Sequence, residues 1–133
     1  LWPQFQNRFG CQALVEMQSL NQVVGFDVRV NTLKTNRDLV FEQLQKENIN
    51  VQKTPFSFWG LRFENRQALQ NHSLWKNGSL EIQDEGSQLI ALLTDAQPGM
   101  HILDLCAGAG GKTLALAASM QNKGILVATD IHE

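Results

Sequence analysis

The sequence predicts an α/β protein in two parts whose strands differ in chemistry, and three observations carry that prediction. Phe26, Val28 and Val30 alternate with Asp27, Arg29 and Asn31, the period-two pattern of a strand with one face in a core. Ile102-Leu103-Asp104-Leu105 and Ile125–Thr129 are instead short apolar runs, the pattern of parallel strands covered on both faces. Between those two runs lie a glycine cluster and a helical stretch. Strand, glycine loop, helix and strand together describe one right-handed βαβ unit. The expected division is a small α+β unit over 1–82 and the incomplete start of a second domain over 83–133.

The elements follow in order. Trp2-Pro3 opens a helix, because proline's fixed φ and missing N–H suit a first helical position, and Gly10 interrupts it. Ala13, Leu14, Met17, Leu20 and Val24 recur at three- and four-residue steps and predict a short amphipathic helix. Thr35-Asn36-Arg37-Asp38 reads as a capping box, with Thr35 accepting a backbone N–H and Asp38 reaching back. Val40, Phe41 and Leu44 give the helix behind it an apolar face that ends near Asn48. Strands are expected at Ile49–Lys53 and Trp59–Phe63, and another at Leu80-Glu81-Ile82 after Gly78.

The character changes near residue 83. Asp84 is placed to cap a helix whose Leu89, Ile90, Leu93 and Ala96 share one face, with Pro98-Gly99 ending it. A helix over Thr113–Met120 has Leu114, Ala117 and Ala118 as its apolar face, and Gly124 leads into the last strand.

Composition narrows the function classes. With 133 residues, 43% hydrophobic and 18% charged, the chain can bury a core, which excludes disordered, collagen-like and disulfide-scaffold classes. No apolar run reaches the roughly 18 residues a membrane span needs. Cys11 and Cys106 make no metal-binding or disulfide spacing, and no secretory signal is visible, which fits the cytoplasm. His72, His101 and His132 each lack a second ligand at a useful spacing, so no metal is expected. The net charge of −2 divides unevenly: residues 1–75 balance at +2 and residues 76–133 at −4. The first part is therefore the better candidate for a polyanion, although an ordinary solvated surface explains +2 equally well. The opening Leu1 and the stop just after an apolar run give both ends the look of cuts.

The segment from Asp104 to Thr113 carries most of the chemistry. Small residues at a strand-to-helix turn let a ligand approach the backbone, and a helix start offers free N–H groups. Asp130 ends the next strand, where a carboxylate beside the loop can accept hydrogen bonds from both ribose hydroxyls. Three cofactor classes compete. Gly111-Lys112-Thr113 matches the end of a phosphate-binding P-loop, but Cys106 stands where that pattern needs glycine. A dinucleotide fingerprint beginning at Gly108 and Gly110 meets Thr113 at its third glycine. S-adenosyl-L-methionine carries no phosphate, asks mainly for close backbone approach, and fits best. The bland alternative is a glycine turn that only joins strand to helix. Asp104 reads as an organiser of the loop, Cys106 as a small buried hydrophobe, and Lys112 as either a solvated helix start or a partner for the cofactor's carboxylate.

At this point the sequence resembles the Sun (Fmu, RsmB-type) family of S-adenosylmethionine-dependent RNA 5-methylcytosine methyltransferases. Arg29-Val30-Asn31-Thr32-Leu33-Lys34 is similar to the family's R-x-N-x-x-K segment, and Gln83-Asp84-Glu85-Gly86-Ser87-Gln88-Leu89 to its Q-D-x-x-S-x-L helix start. Asp104-Leu105-Cys106-Ala107 with Gly110-Gly111-Lys112-Thr113 is similar to its cofactor loop; Gly108-Ala109 stands where the family often has Ala-Pro. The resemblance implies an RNA-recognition-like subdomain over 1–82, then the start of a Rossmann-like methyltransferase domain. It implies that Cys106, Ala107, Gly108, Ala109, Gly110, Gly111 and Lys112 line the cofactor, that Asp130 holds its ribose, and that the partner is RNA, ribosomal above all. In the family a cysteine thiolate adds to carbon 6 of cytosine, so that carbon 5 takes the methyl, and a second cysteine assists release. Neither Cys11 nor Cys106 matches those positions, so no catalytic residue is carried over. The expectation is a natural chain continuing past Glu133, with these 133 residues inactive alone. Two other classes stay open: a small-molecule methyltransferase, and a non-catalytic RNA-binding adaptor. The adaptor would use Arg29, Lys34, Lys53 and Arg62 on phosphates and Trp59 on a base.

Overall fold

The structure is a computed structural model that describes residues 1–22, 25–64 and 69–131. The alternating segment is strand β1 (Phe26–Val30), and it lies inside an antiparallel sheet with β2 (Val51–Lys53), β3 (Gly60–Phe63) and β4 (Leu80–Ile82) in the order β2-β3-β1-β4. Val28 pairs with Leu61 on one side and Ile82 on the other, which fixes the register across the sheet. On one face Val28 and Val30 pack with Leu61, Phe63 and Leu80 beneath Val40 and Leu44 of α3 (Arg37–Lys46). Burying side chains of this size stabilises by about 1.5–3 kcal/mol each.

The other face of β1 corrects the reading of a half-buried strand. Asp27 and Arg29 are buried too, because α5 (Glu85–Leu93) packs across them. Their polarity is satisfied by partners: Arg62 Nε donates to Asp27 at 2.7 Å, and Arg29 Nε donates to Gln83 Oε1 at 2.8 Å. A period of two marks which residues share a face; it does not say whether the polar face meets water.

The helical lead-in is α1 (Trp2–Phe9), a short 3₁₀ turn and α2 (Ala13–Leu20), as the proline and Gly10 predict. Of the apolar positions in α2, Ala13 is buried while Leu14 and Leu20 face solvent; Val24 lies outside the described residues. The cap of α3 falls one residue later than expected. Asn36, not Thr35, accepts the Leu39 N–H at 3.0 Å, an equally good capping residue. A 3₁₀ turn at Leu69–Asn71 and the short α4 (Ser73–Lys76), capped by His72, were not legible in the pattern.

Asp84 caps α5 as expected, accepting the Ser87 N–H at 3.0 Å. The buried face of α5 is different, however. Glu85, Gln88 and Ala91 are inward, while Ile90 is 54% exposed and Leu93 84% exposed. The inward face is polar because it meets Asp27, Val28 and Ser57 through hydrogen bonds.

Strands β5 (His101–Asp104) and β6 (Ile125–Ala128) pair in parallel from His101↔Ile125 to Asp104↔Ala128, joined through α6 (Gly111–Ser119). Ile102 and Leu126 pack with Ala115, Leu116 and Met120, and the same core takes in Trp59 and Ala91. The expectation of strands covered on both faces is corrected. Leu103, Ile125 and Val127 project from the opposite face and are exposed, since among the described residues only one face of the pair is covered. On α6 the buried positions are Ala115, Leu116 and Ala118, one step round from the predicted face, and Leu114 is exposed.

Candidate cofactor site

The loop after β5 is built by hydrogen bonds to the end of β6. Thr129 N–H donates to Asp104 O at 2.9 Å, and Ala107 N–H donates back to Thr129 O at 3.0 Å. Gly108 N–H donates to Asp130 Oδ2 at 2.8 Å, so the carboxylate ending β6 holds the middle of the loop. From the other side Thr113 Oγ1 donates to Asp104 Oδ2 at 2.7 Å, tying the first turn of α6 to the end of β5. Asp104 thus organises the loop.

Gly110 caps α6 with φ +82°, the left-handed region that glycine adopts without steric cost. As glycine it offers no side-chain cap, so among the described residues no N-cap side chain accepts from the first-turn N–H groups of α6. That leaves a partial positive charge at the helix start.

Two clefts flank the loop. The first, about 400 Å³, lies between Ala107–Gly110, the α6 residues Thr113 and Leu114, and the end of β6 at Ala128, Thr129 and Asp130. The second, about 410 Å³, lies between Cys106–Ala109, Gly111 and Lys112 on one side and Ile82, Gln83, Asp84 and Ser87 on the other. Each of the eight residues singled out from the sequence lines one cleft or the other, and Ala107, Gly108 and Ala109 line both. Thr113, Leu114, Ala128 and Thr129 were not singled out; their places on the helix start and strand end were the available signal. Gln83, Asp84 and Ser87 belong to the segment that resembles the family's Q-D-x-x-S-x-L helix start, where the sequence gives Asp84 the role of a cap and none of them a role in the site. Cys106 is exposed rather than buried, because it sits in the turn where no described element covers it.

The electrostatics of the clefts are mixed. Asp130 stands in the first. Asp84 and Lys112 stand in the second, and Lys112 is the one cation lining either cleft among the described residues. Partial burial pushes the Asp84 carboxyl up, but the Ser87 hydrogen bonds together with the N–H groups of Asp84 and Gly86 outweigh it and hold it below its ordinary range. Gln83 adds a buried donor. Its Oε1 is held by Arg29, which turns Nε2 the other way, and Nε2 has no partner among the described residues. A methyl group at Gly111 would sit 3.7 Å from that nitrogen, so Gln83 underlies the start of α6.

The groups named for an adaptor are already occupied. Arg29 is buried against Glu81 and Gln83, Arg62 is paired with Asp27, Lys34 donates to Asn77 O, and Lys53 pairs with Asp38 at 2.5 Å. Trp59 is buried in the second core and offers no face to a base. Among the described residues no three His, Cys, Asp or Glu side chains group as metal ligands. No helix there is long and apolar enough to cross a membrane.

Comparison with known proteins gives this geometry a family. Residues 1–70 match the family model described as the ferredoxin-like domain of RsmF/B-like methyltransferases. Residues 91–133 match the model for 16S rRNA methyltransferase RsmB/F. The chain belongs to the RsmB/F methyltransferase family. Among its relatives, the probable ribosomal RNA small subunit methyltransferase B of Bacillus subtilis is 33% identical over 106 residues, 80% of this chain and 24% of that protein. The 28S rRNA (cytosine-C(5))-methyltransferase of Mus musculus is 32% identical over 121 residues, 77% of this chain and 26% of that protein. The crystal structure of a methyltransferase homolog protein from Pyrococcus horikoshii superposes with a TM-score of 0.85 at 25% identity, covering 95% of this chain and 42% of that one. The chain therefore spans about a quarter of the length of these curated RsmB/F relatives.

Proposed function

We infer that these residues form the cofactor floor and the RNA-facing subdomain of an S-adenosylmethionine-dependent RNA cytosine-C5 methyltransferase that acts on ribosomal RNA in the cytoplasm. The division at residues 82 and 83 separates the two roles. The observation that carries the reading is the Asp130 carboxylate bonded to Gly108 of the loop. It supports a ligand whose hydroxyl-bearing end reaches the end of β6 while its backbone-contacting middle crosses a loop of small residues.

The residues fit this cofactor better than a nucleoside triphosphate. Each cleft carries a carboxylate, and Lys112 alone cannot balance a chain of phosphates. A ligand with a ribose, a positive sulfonium and a zwitterionic end finds complementary groups here: Asp130 for the ribose, small residues from Cys106 to Gly111 along its length, and Lys112 with the helix start for the carboxylate. When bound, the sulfonium supplies an electrophilic methyl group. The chain's part is to hold that group against the loop and to present RNA from the α+β unit over residues 1–82.

Calorimetric titration tests the assignment. S-adenosylmethionine is expected to bind and ATP not to. Asp130→Ala is expected to weaken the first by about tenfold to a hundredfold, the value of a hydrogen bond to a charged group. Preferential binding of ATP would reverse the assignment.

A further inference from the structure

The loop between β2 and β3 holds two aromatic rings out in water on a backbone that is fixed from several sides. Phe56 is 75% exposed and Phe58 60% exposed. The N–H groups of Phe56 and Ser57 donate to the buried Glu85 carboxylate at 2.6 and 2.8 Å. Ser57 Oγ donates to Gln88 Oε1 at 2.6 Å, and Ser57 O accepts from Thr54 Oγ1 at 2.8 Å and from the Arg37 guanidinium at 2.9 Å. Trp59 anchors the end of the loop in the core, and the Phe58 ring meets it edge-on with centroids 5.2 Å apart.

A loop free to rearrange would tuck these rings away, because each hides well over 100 Å² of apolar surface when buried. Here buried polar groups of α5 hold the backbone in the conformation that displays them. Exposed phenylalanines on a rigid turn need a partner with flat, apolar faces or greasy side chains. The surroundings favour the first: the Arg37 guanidinium, donating to Ser57 O, places a cation at the loop itself.

We propose that Phe56 and Phe58 form a stacking platform for unpaired bases of the RNA, with Arg37 beside them for a phosphate. The proposal rests on the RNA methyltransferase reading above. Unstacked bases lie on aromatic faces with little regard to sequence, and nearby cations follow the backbone. Placement supports it as well. Glu85, which grips the loop, directly follows Gln83 and Asp84, which line the cleft behind the glycine loop. One helix start thus fixes the platform relative to the cofactor floor, so a strand stacked on the rings is held at a set position from the reacting group.

Fluorescence anisotropy with a labelled, unstructured oligoribonucleotide and the 133-residue chain tests this. Phe56→Ala and Phe58→Ala are each expected to weaken binding about tenfold, the order of one lost stack. The slope of log affinity against log salt should stay unchanged, since no phosphate contact is removed. Phe→Trp at either position should keep the affinity, and Phe→Leu should not. Phe56→Ala removes the more exposed ring and should leave thermal unfolding unaltered, whereas Phe58→Ala also loses the edge-on contact with Trp59 and should unfold at a slightly lower temperature. Alanine variants within twofold of wild type would overturn the platform, as would full affinity in the leucine variants, which would show that the rings do not stack on bases. Absence of RNA affinity in the wild-type chain would overturn it too. S-adenosylmethionine titration of the same variants separates the two readings: an intact cofactor site with no role for the rings sinks the platform alone.

Discussion

Replacing Arg29 with methionine is expected to destabilise the chain by about 3–5 kcal/mol, the usual cost of removing one partner from a buried charged pair. Arg29 is fully buried in the middle of the four-stranded sheet, and its two arms are both used. Its Nε donates to Gln83 Oε1 at 2.8 Å and its Nη2 to Glu81 Oε2 at 2.5 Å. Methionine fills similar volume, so little is lost in packing. What remains is a carboxylate with only 21% of its side chain exposed and a buried amide oxygen without its donor. The companion Arg29→Met/Glu81→Met should recover part of the loss, since replacing both partners removes the uncompensated charge. Urea unfolding followed by circular dichroism reads both. A change below about 1 kcal/mol for Arg29→Met would show that the pair contributes little to the fold. Domains of this size are stable by about 5–15 kcal/mol, so the expected loss is a large share of the total.

The second large effect is expected at Gly124, which leads into β6. Its φ of +121° lies in a region that side-chain-bearing residues rarely adopt. A methyl group there would also stand 2.3 Å from the Met100 carbonyl and 2.7 Å from Met120 Cε. The Met120 end can swing aside, but the Met100 carbonyl cannot, because it accepts the Ile125 N–H at 3.0 Å. Gly124→Ala therefore combines backbone strain of about 1–3 kcal/mol with an overpacking cost of similar size, for a total near 3 kcal/mol or more. Thermal unfolding of this variant beside Gly86→Ala provides the measure. At Gly86 φ is ordinary and an added methyl approaches Asp84 Oδ1 at 3.1 Å, so the change there should be far smaller. Equal stability of the two variants would contradict the account of Gly124.

Much of this architecture was readable in the amino-acid order, and the exceptions share one cause. The alternation at Phe26–Val30, the apolar runs before and after the glycine loop, and Asp84 as a cap each announce local structure, because backbone preference and side-chain period act within a few residues. Whether a face is covered depends on partners far along the chain. Asp27 and Arg29 look solvent-facing until Arg62 and Glu81 arrive to neutralise them and Gln83 accepts from Arg29. Glu85 and Gln88 look like the outer face of α5, yet they are buried because they hold the loop at Ser57. Leu93 and Leu103 look like core and stand exposed, since the described residues put nothing over them.

The candidate site was more legible than the core. Its residues run without a gap from Cys106 to Lys112, and the outlier, Asp130, is brought back by one βαβ crossover, which topology alone predicts. What the sequence did not disclose is the second cleft. It needs the start of α5 to pack against the glycine loop, a contact between segments with no shared pattern.

In the proposed function the glycine loop and Asp130 together form the floor of an S-adenosylmethionine site. Backbone amide NMR of the isotope-labelled chain, titrated with S-adenosylmethionine, tests it most directly. Shifts are expected at the amides of residues 106–113 and 130, with those of β1 to β3 unmoved. Shifts confined to the four-stranded sheet, or the same loop shifts produced by inorganic triphosphate instead, would contradict it.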